Sequence, residues 1–358
     1  MDGGTVLAVP SGRVNLTFLA EGGPEPLILQ KINPVFKSSR APGDNWAKVE
    51  KTLSSNGIRC PRVLPDKFGN NLALFGEDVW RLTSFVPGTV PGISESSVFE
   101  AARTLGSVHR ALNSPMPVTL DELPKGVEYT NGKLPAPGDF SGFRSLYRRH
   151  PGLEAMEEAL KRGEEAVKFL PGSPVFRMVF LFKDLAIHGD PKRTNFLWEP
   201  AVETEKTPDL FEKTGTPDED PASPPAGTFT LIDWDTAALG DPLLDLGELM
   251  RSFAVRKTAP FFDADLGAAA VGGYSLTGLC LDPARLVFLP AVIRGLVINL
   301  ARRYLADALL ENYFVWDEKP GVSRFERALG RAESLLDLAW ELFERDYELS
   351  SLWERALR

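Results

Sequence analysis

Two short stretches of this sequence hold residues whose types and spacing could do chemistry together: IHGDPKRTNFLW, with His188, Asp190, Lys192 and Asn195, and FTLIDWD, with Asp233 and Asp235. An aspartate can take a proton from a reacting hydroxyl. A second carboxylate and an amide oxygen can hold a hard cation such as Mg2+, which keeps some waters and takes further ligands from substrate phosphates. FLW and FTLIDWD both read as strands. If they pair antiparallel, the start of the first lies beside the end of the second, and Asn195 and Asp233 present oxygens to one point near Asp190. His188 is expected to bond to backbone and shape the loop. Asp235 shares a strand face with Asp233 if the strand continues; a metal contact, a substrate contact and a turn cap all suit it.

The elements that must position these residues divide in two. TVLAVP, VNLTFLA and PLILQKI read as strands separated by turns at SGR and EGGPE. DNWAKVEKTLSSNG reads as a helix capped by Asp44, with Trp46, Val49 and Leu53 on one face and Gly57 at its exit. NLALFG and VWRLTSFV read as further strands before the break at PGTVPG, which puts a small lobe at residues 1–88. Residues 89–358 are mainly helical in pattern, beginning with SVFEAARTLGSVHRALN behind a cap at Ser96 or Ser97. GLEAMEEALKRGEEAVKFL reads as a surface helix. The stretch 199–227 is acidic, rich in Pro and Thr and poor in apolar residues, and reads as a mobile insertion.

The bulk composition excludes several functions. With 358 residues, two packed lobes are expected. A net charge of -9 and the lack of a basic run argue against nucleic acid or an anionic membrane surface as partner. No stretch is long and apolar enough to cross a bilayer, and the first residues do not read as a secretory signal. Cys60 and Cys280 are the only cysteines and lack metal-ligand spacing, so reduced thiols in a cytoplasmic protein are expected. The sequence is silent on oligomeric state.

H-x-D-x-x-x-x-N, followed by a strand and a second Asp, resembles the catalytic and metal loops of the protein-kinase-like fold. HGDPKRTNFLW and LIDWDTAALGDPLLDLGELMRS look like the two signatures of the aminoglycoside phosphotransferase and choline kinase group. SGRVNLTFL, PLILQKINPVFK, WRLTSFVPGT and RRYLADALLENYF, taken in order, are most similar to blocks of the N-acetylhexosamine 1-kinases. The sequence departs from that pattern at Gly189, where Asn is frequent, in the length of the insertion, and at Asp245-Leu246-Gly247-Glu248, where D-F-G-D is usual.

The resemblance implies an α+β fold, with a small antiparallel β lobe carrying one helix and a larger helical lobe. It implies ATP and Mg2+ as cofactors and a small-molecule partner, a sugar phosphorylated on a hydroxyl such as C1 of an N-acetylhexosamine. Amino alcohols, homoserine and aminoglycosides are the alternative acceptors, and a kinase-like binding module without turnover is the alternative function. In the implied mechanism Asp190 is the base, Asn195 and Asp233 hold the metal, and Lys192 either contacts the transferred phosphoryl group or is a solvated loop lysine. On the nucleotide side, Gln30 and Lys31 point to opposite faces of one strand. Lys31 suits phosphates, with Glu50 to orient it, and Arg13 in SGR could add a contact or belong to an ordinary turn. For the acceptor, the resemblance implies Arg303, Asp307 and Tyr313; Arg303 and Asp307 stand one turn apart and could equally form a surface ion pair.

Overall fold

The chain opens with β-branched and large apolar residues broken by Gly-rich turns, and these form the edge of an antiparallel sheet. The computed structural model describes residues 4–9, 15–34, 39–123, 139–181, 184–201, 227–259, 261–279, 283–311, 314 and 321–357. Strands β1 (Thr5–Val9), β2 (Leu16–Glu21) and β3 (Leu27–Lys31) come first, followed by helix α1 (Ala41–Ser55). Strands β4 (Val63–Leu64), β5 (Ala73–Phe75) and β6 (Asp78–Ser84) complete a six-stranded sheet in the order β1-β2-β3-β6-β4, with β5 pairing β6. All of its pairings are antiparallel, and Gln30 lies opposite Arg81 while Lys31 lies opposite Trp80. The two-residue β4 was invisible in the sequence because it is too short to show alternation.

The large lobe follows: α2 (Glu95–Asn113), α3 (Asp139–Tyr147), α4 (Glu157–Lys168) and α5 (Pro174–Leu181), then β7 (Leu185–Ile187), β8 (Phe196–Pro200), β9 (Gly227–Leu231) and β10 (Ala238–Gly240). Helices α6 (Pro242–Phe253), α7 (Ala264–Thr277), α8 (Pro283–Leu286), α9 (Leu289–Leu310), α10 (Arg324–Glu344) and α11 (Asp346–Ala356) close the fold. This is the protein-kinase-like α+β architecture expected from the sequence.

Some local expectations are corrected. Helix α1 starts three residues before Asp44, behind Arg40 and with Pro42 in its first turn, so Asp44 is inside the helix and its carboxylate accepts from Asn71 instead. Helix α2 is capped by Ser94 in a reciprocal pair with Ser97, not by Ser96 or Ser97. Residues 151–156 form a 3-10 turn ahead of α4, because Pro151 opens that segment. Most of the 199–227 insertion, with Cys280, Arg13 and Tyr313, lies outside the described residues, while Cys60 is buried as a thiol.

The lobes share a core. Trp46, Val49 and Leu53 on α1 belong to the same apolar cluster as Val98, Leu105 and Leu112 on α2. The connector is pinned as well: Thr89 exchanges two backbone hydrogen bonds with Trp198 on β8, at 2.9 and 2.8 Å. Gly88 makes this approach possible, since its φ is 131° and a Cβ there would lie 2.8 Å from the Trp198 carbonyl oxygen. The break near 88 is therefore a joint fastened to the site's own hairpin.

Candidate active site

Strands β8 and β9 pair antiparallel, with Phe196 opposite Leu231. The pairing continues one step further, as the Ile232 N–H donates to the Asn195 carbonyl at 2.8 Å. Asn195 therefore lies directly beside the start of Ile232-Asp233, the juxtaposition the sequence pattern called for. The strand ends at Leu231, however, and does not carry Asp233 and Asp235 on one face. Asp233 takes a left-handed conformation (φ 68°) and leads into a 3-10 turn over Trp234–Thr236. Aspartate tolerates this backbone better than most residues, and such geometry concentrates at working sites.

Three anchors hold the loop at 188–195. Asp245, near the start of α6, accepts from the His188 and Gly189 backbone N–H groups at 2.7 and 2.8 Å, and pairs with His109 at 2.9 Å. Ser252, two turns further along α6, accepts from the Arg193 N–H at 2.9 Å. His188 is fully buried, and burial pushes its imidazole below the usual range, so it is neutral. Its Nδ1 accepts from the Asp190 N–H at 3.2 Å and its Nε2 donates to the Ile232 carbonyl at 3.0 Å. One ring thus ties the two halves of the site together. Gly189 has φ 88°, a conformation that glycine adopts freely and asparagine tolerates, which explains the exchange between them at this position.

Asp190 is 23% exposed at its side chain, and Lys192 Nζ contacts its Oδ2. Burial works against the Lys192 charge, but Asp190 and then Asp233 outweigh it and hold the amine above its ordinary range. Asn195 donates from Nδ2 to the Asp190 carbonyl at 2.9 Å, and its Oδ1 accepts from no described residue. Asp233 Oδ1 is shielded from solvent and likewise accepts no hydrogen bond from any described residue. Burial, then the neighbouring Asp235, pushes the Asp233 carboxyl up to about 6. A carboxylate so placed is short of positive charge. Together with the uncommitted Asn195 amide oxygen it fits a hard divalent cation. Among the described residues no cluster of three His, Cys, Asp or Glu side chains could hold a metal, so further ligands would come from water and phosphate.

Asp235 has a different place. It is buried, with Oδ2 accepting from Asn15 Nδ2 at 2.6 Å and Oδ1 paired with Arg81 on β6. The Arg81 guanidinium also donates to Gln30 Oε1 at 2.6 Å and stacks 4.0 Å over Trp46. Both Asp235 oxygens are therefore committed to the small lobe, and the carboxylate locks the lobes together beneath Asp233. The register settles which third-strand residue faces this cleft. It is Gln30, while Lys31 pairs with Asp78 at 2.6 Å. Glu50 accepts from Ser54 on its own helix and does not orient Lys31. Breaking this buried pair by Arg81→Met should cost about 3–5 kcal/mol, because Asp235 is left charged and unpaired; Arg81→Met with Asp235→Leu should recover most of that loss. Urea unfolding of the two variants checks the difference.

The residues expected on the acceptor side lie on α9 and after it. Arg303 sits 5.7 Å from the Phe314 ring centroid, and Tyr304 stacks on that ring at 4.4 Å. Asp307 is buried, accepts from the Phe314 N–H at 3.1 Å and pairs with Arg324 at 3.3 Å. It therefore holds the 314 segment in place.

Residues 5–206 match the phosphotransferase enzyme family. No curated protein matches the chain. Among solved structures, a microcompartment-associated aminopropanol kinase superposes with a TM-score of 0.57 at 16% identity, over 99% of this chain and 95% of that one. An amicoumacin kinase in complex with AMP-PNP, Ca2+ and Ami gives 0.57 at 14% identity, over 93% and 88%. An aminoglycoside phosphotransferase from Alicyclobacillus acidocaldarius gives 0.54 at 14%, over 93% and 90%. At such identities the likeness is one of fold; the family match, on a segment that includes the loop from His188 to Asn195, says more. The chain belongs to the phosphotransferase enzyme family and is a small-molecule kinase with a hydroxyl acceptor.

Proposed function

We propose that the enzyme uses ATP and Mg2+ to phosphorylate a sugar hydroxyl, the C1 hydroxyl of an N-acetylhexosamine-like sugar. The observation that carries the phosphotransfer reading is the convergence of Asp190 with Lys192, Asn195 and an unsatisfied Asp233 oxygen on one hairpin. In the reaction the acceptor oxygen bonds to the γ-phosphorus as the bond from that phosphorus to the β,γ-bridging oxygen breaks. ADP leaves with the electron pair, and the hydroxyl proton passes to the Asp190 carboxylate. Asn195 and Asp233 would hold the metal, which supplies positive charge to the phosphate oxygens during transfer. Lys192, held against Asp190, would neutralise charge on the moving phosphoryl group.

The sugar reading rests on the sequence blocks it shares with N-acetylhexosamine 1-kinases, and it keeps Arg303, with Tyr313, as candidate acceptor contacts; Asp307 would act through the 314 segment. Phosphorylation at C1 removes a reducing end. With ATP, Mg2+ and N-acetylhexosamines, reducing sugar should therefore disappear in step with ADP formation. ADP formed only with amino alcohols, homoserine or aminoglycosides would replace the sugar reading, and nucleotide binding without product across the whole panel would point to a binding module.

A further inference from the structure

Alternation along the small-lobe strands sorts their side chains between two faces of the sheet. Thr17 on β2, Gln30 on β3 and Arg81 on β6 stand opposite one another in register and form one cross-strand row. Lys31 belongs to the other face, where it pairs with Asp78. The row faces the large lobe, because Arg81 reaches Asp235, and Asn15, just before β2, donates to the same carboxylate at 2.6 Å. Gln30 and Asp235 are held by the two terminal nitrogens of one guanidinium, and Asp235 follows Asp233 by two residues. Gln30 therefore lies on the cleft side of the sheet, one guanidinium away from the turn that carries Asp233. Its amide has a fixed polarity. A guanidinium donates and cannot accept, so the atom that meets Arg81 Nη2 at 2.6 Å is the carbonyl oxygen. The Nε2 end points the other way, and its partner is the Thr17 hydroxyl at 3.4 Å, a long bond that engages one of two N–H groups. Arg81 itself is closed to a ligand, its side chain being 0% exposed among Asp235, Gln30 and the Trp46 ring.

We propose that Gln30 is a nucleotide-binding residue that donates an Nε2 N–H to a phosphate oxygen of ATP, and that Arg81 is the positioning residue that aims it. An amide free to rotate presents either its oxygen or its nitrogen, and an oxygen turned toward phosphate sets acceptor against acceptor. Arg81 removes the wrong orientation by engaging the oxygen from behind. The strand thus offers the phosphate tail a neutral donor, while the charge beneath it is balanced by Asp235. The same guanidinium fixes Asp235 in the 3-10 turn that begins at Asp233. One buried cation therefore holds the donor of the small lobe and the metal-side turn of the large lobe in a fixed relation.

This inference rests on the kinase reading, and binding measurements on the full chain separate the two. AMP-PNP with Mg2+ reports the phosphate tail, and adenosine reports the base and ribose alone. Gln30→Glu keeps an acceptor for Arg81 but puts a charged oxygen where the donor stood. Gln30→Met removes the donor and leaves Arg81 Nη2 without its acceptor. In calorimetric titration both variants should weaken AMP-PNP by about 10- to 100-fold, the range for losing a hydrogen bond to a charged group, with Gln30→Glu at the upper end. Adenosine, which has no atom at that site, should stay within about twofold. Gln30→Glu should melt with the wild type and Gln30→Met below it, so Gln30→Glu alone decides should the Met variant fold poorly. Arg81→Lys keeps a charge but cannot hold two oxygens in one plane, and it should show part of the same AMP-PNP-selective loss. A Gln30→Glu protein that binds AMP-PNP as the wild type does, or that loses adenosine in equal measure, overturns the inference while the kinase reading stands. Equal losses of both ligands in Arg81→Lys would overturn the positioning role of Arg81. A wild-type protein that binds no AMP-PNP in the presence of Mg2+ overturns both readings.

Discussion

Asp190→Asn is expected to lower kcat by about 10³-fold while nucleotide affinity stays within about twofold. The amide keeps the shape of the carboxylate and can still accept a hydrogen bond from Lys192, so the loop held by Asp245, His188 and Ser252 should keep its course. It cannot take a proton from the acceptor hydroxyl. The pair it forms with Lys192 is partly exposed, so its loss should cost well under about 1 kcal/mol of stability. Single-turnover measurement of phosphoryl transfer, beside nucleotide titration and thermal melting, checks all three quantities. A variant that keeps more than about a tenth of wild-type kcat would remove Asp190 from the role of base. Equal losses in nucleotide affinity and turnover would show instead that the residue shapes the phosphate site.

How much of this was legible in the sequence depends on how far each residue's partner lies along the chain. Asp190, Asn195 and Asp233 could be placed because two short strands carry them and antiparallel pairing has one geometric outcome. The lobe order could be read from strand, helix and Pro/Gly punctuation. Asp235 could not, since the turn begins before it, and its partners Asn15 and Arg81 are both in the other lobe. The choice between Gln30 and Lys31 turns on which face of β3 meets β6, and alternation leaves that face open until the register is known. Arg81 carried no signal of its own; an arginine inside a β-strand reads as an edge or surface residue. Asp245 stood in plain view in GDPLLDLGELMRS, but only the fold puts it against the backbone of residues 188 and 189. Asp307 shows the same limit from the other side. Its helical spacing from Arg303 is legible in the sequence, but its contacts with the Phe314 N–H and Arg324 come from tertiary packing that spacing does not show.

Asp233→Asn should separate function from stability in opposite directions. The amide offers the metal a weaker, neutral ligand, so Mg2+ should no longer strengthen nucleotide binding and kcat should fall by about 10³-fold, in line with other losses of electrostatic stabilisation at a reacting centre. In metal-free protein the same change should stabilise the fold. The Asp233 carboxyl is raised from 3.8 to about 6, by burial first and Asp235 second, so the folded state holds this proton more tightly than the unfolded chain. Its contribution to stability is therefore fully present below pH 3.8, fades as pH rises through about 6, and is absent at neutral pH. The cost of ionising it there is on the order of 3 kcal/mol. Asparagine does not titrate and adds no charge beside Asp235 and Asp190, so it should recover that amount at neutral pH with chelator present and flatten this part of the pH profile. Adding Mg2+ and a non-hydrolysable ATP analogue should reverse the ranking, because only the wild-type carboxylate gains the cation. An aspartate kept for structure would behave the other way, with its amide melting lower in chelator and the ligands failing to change the order.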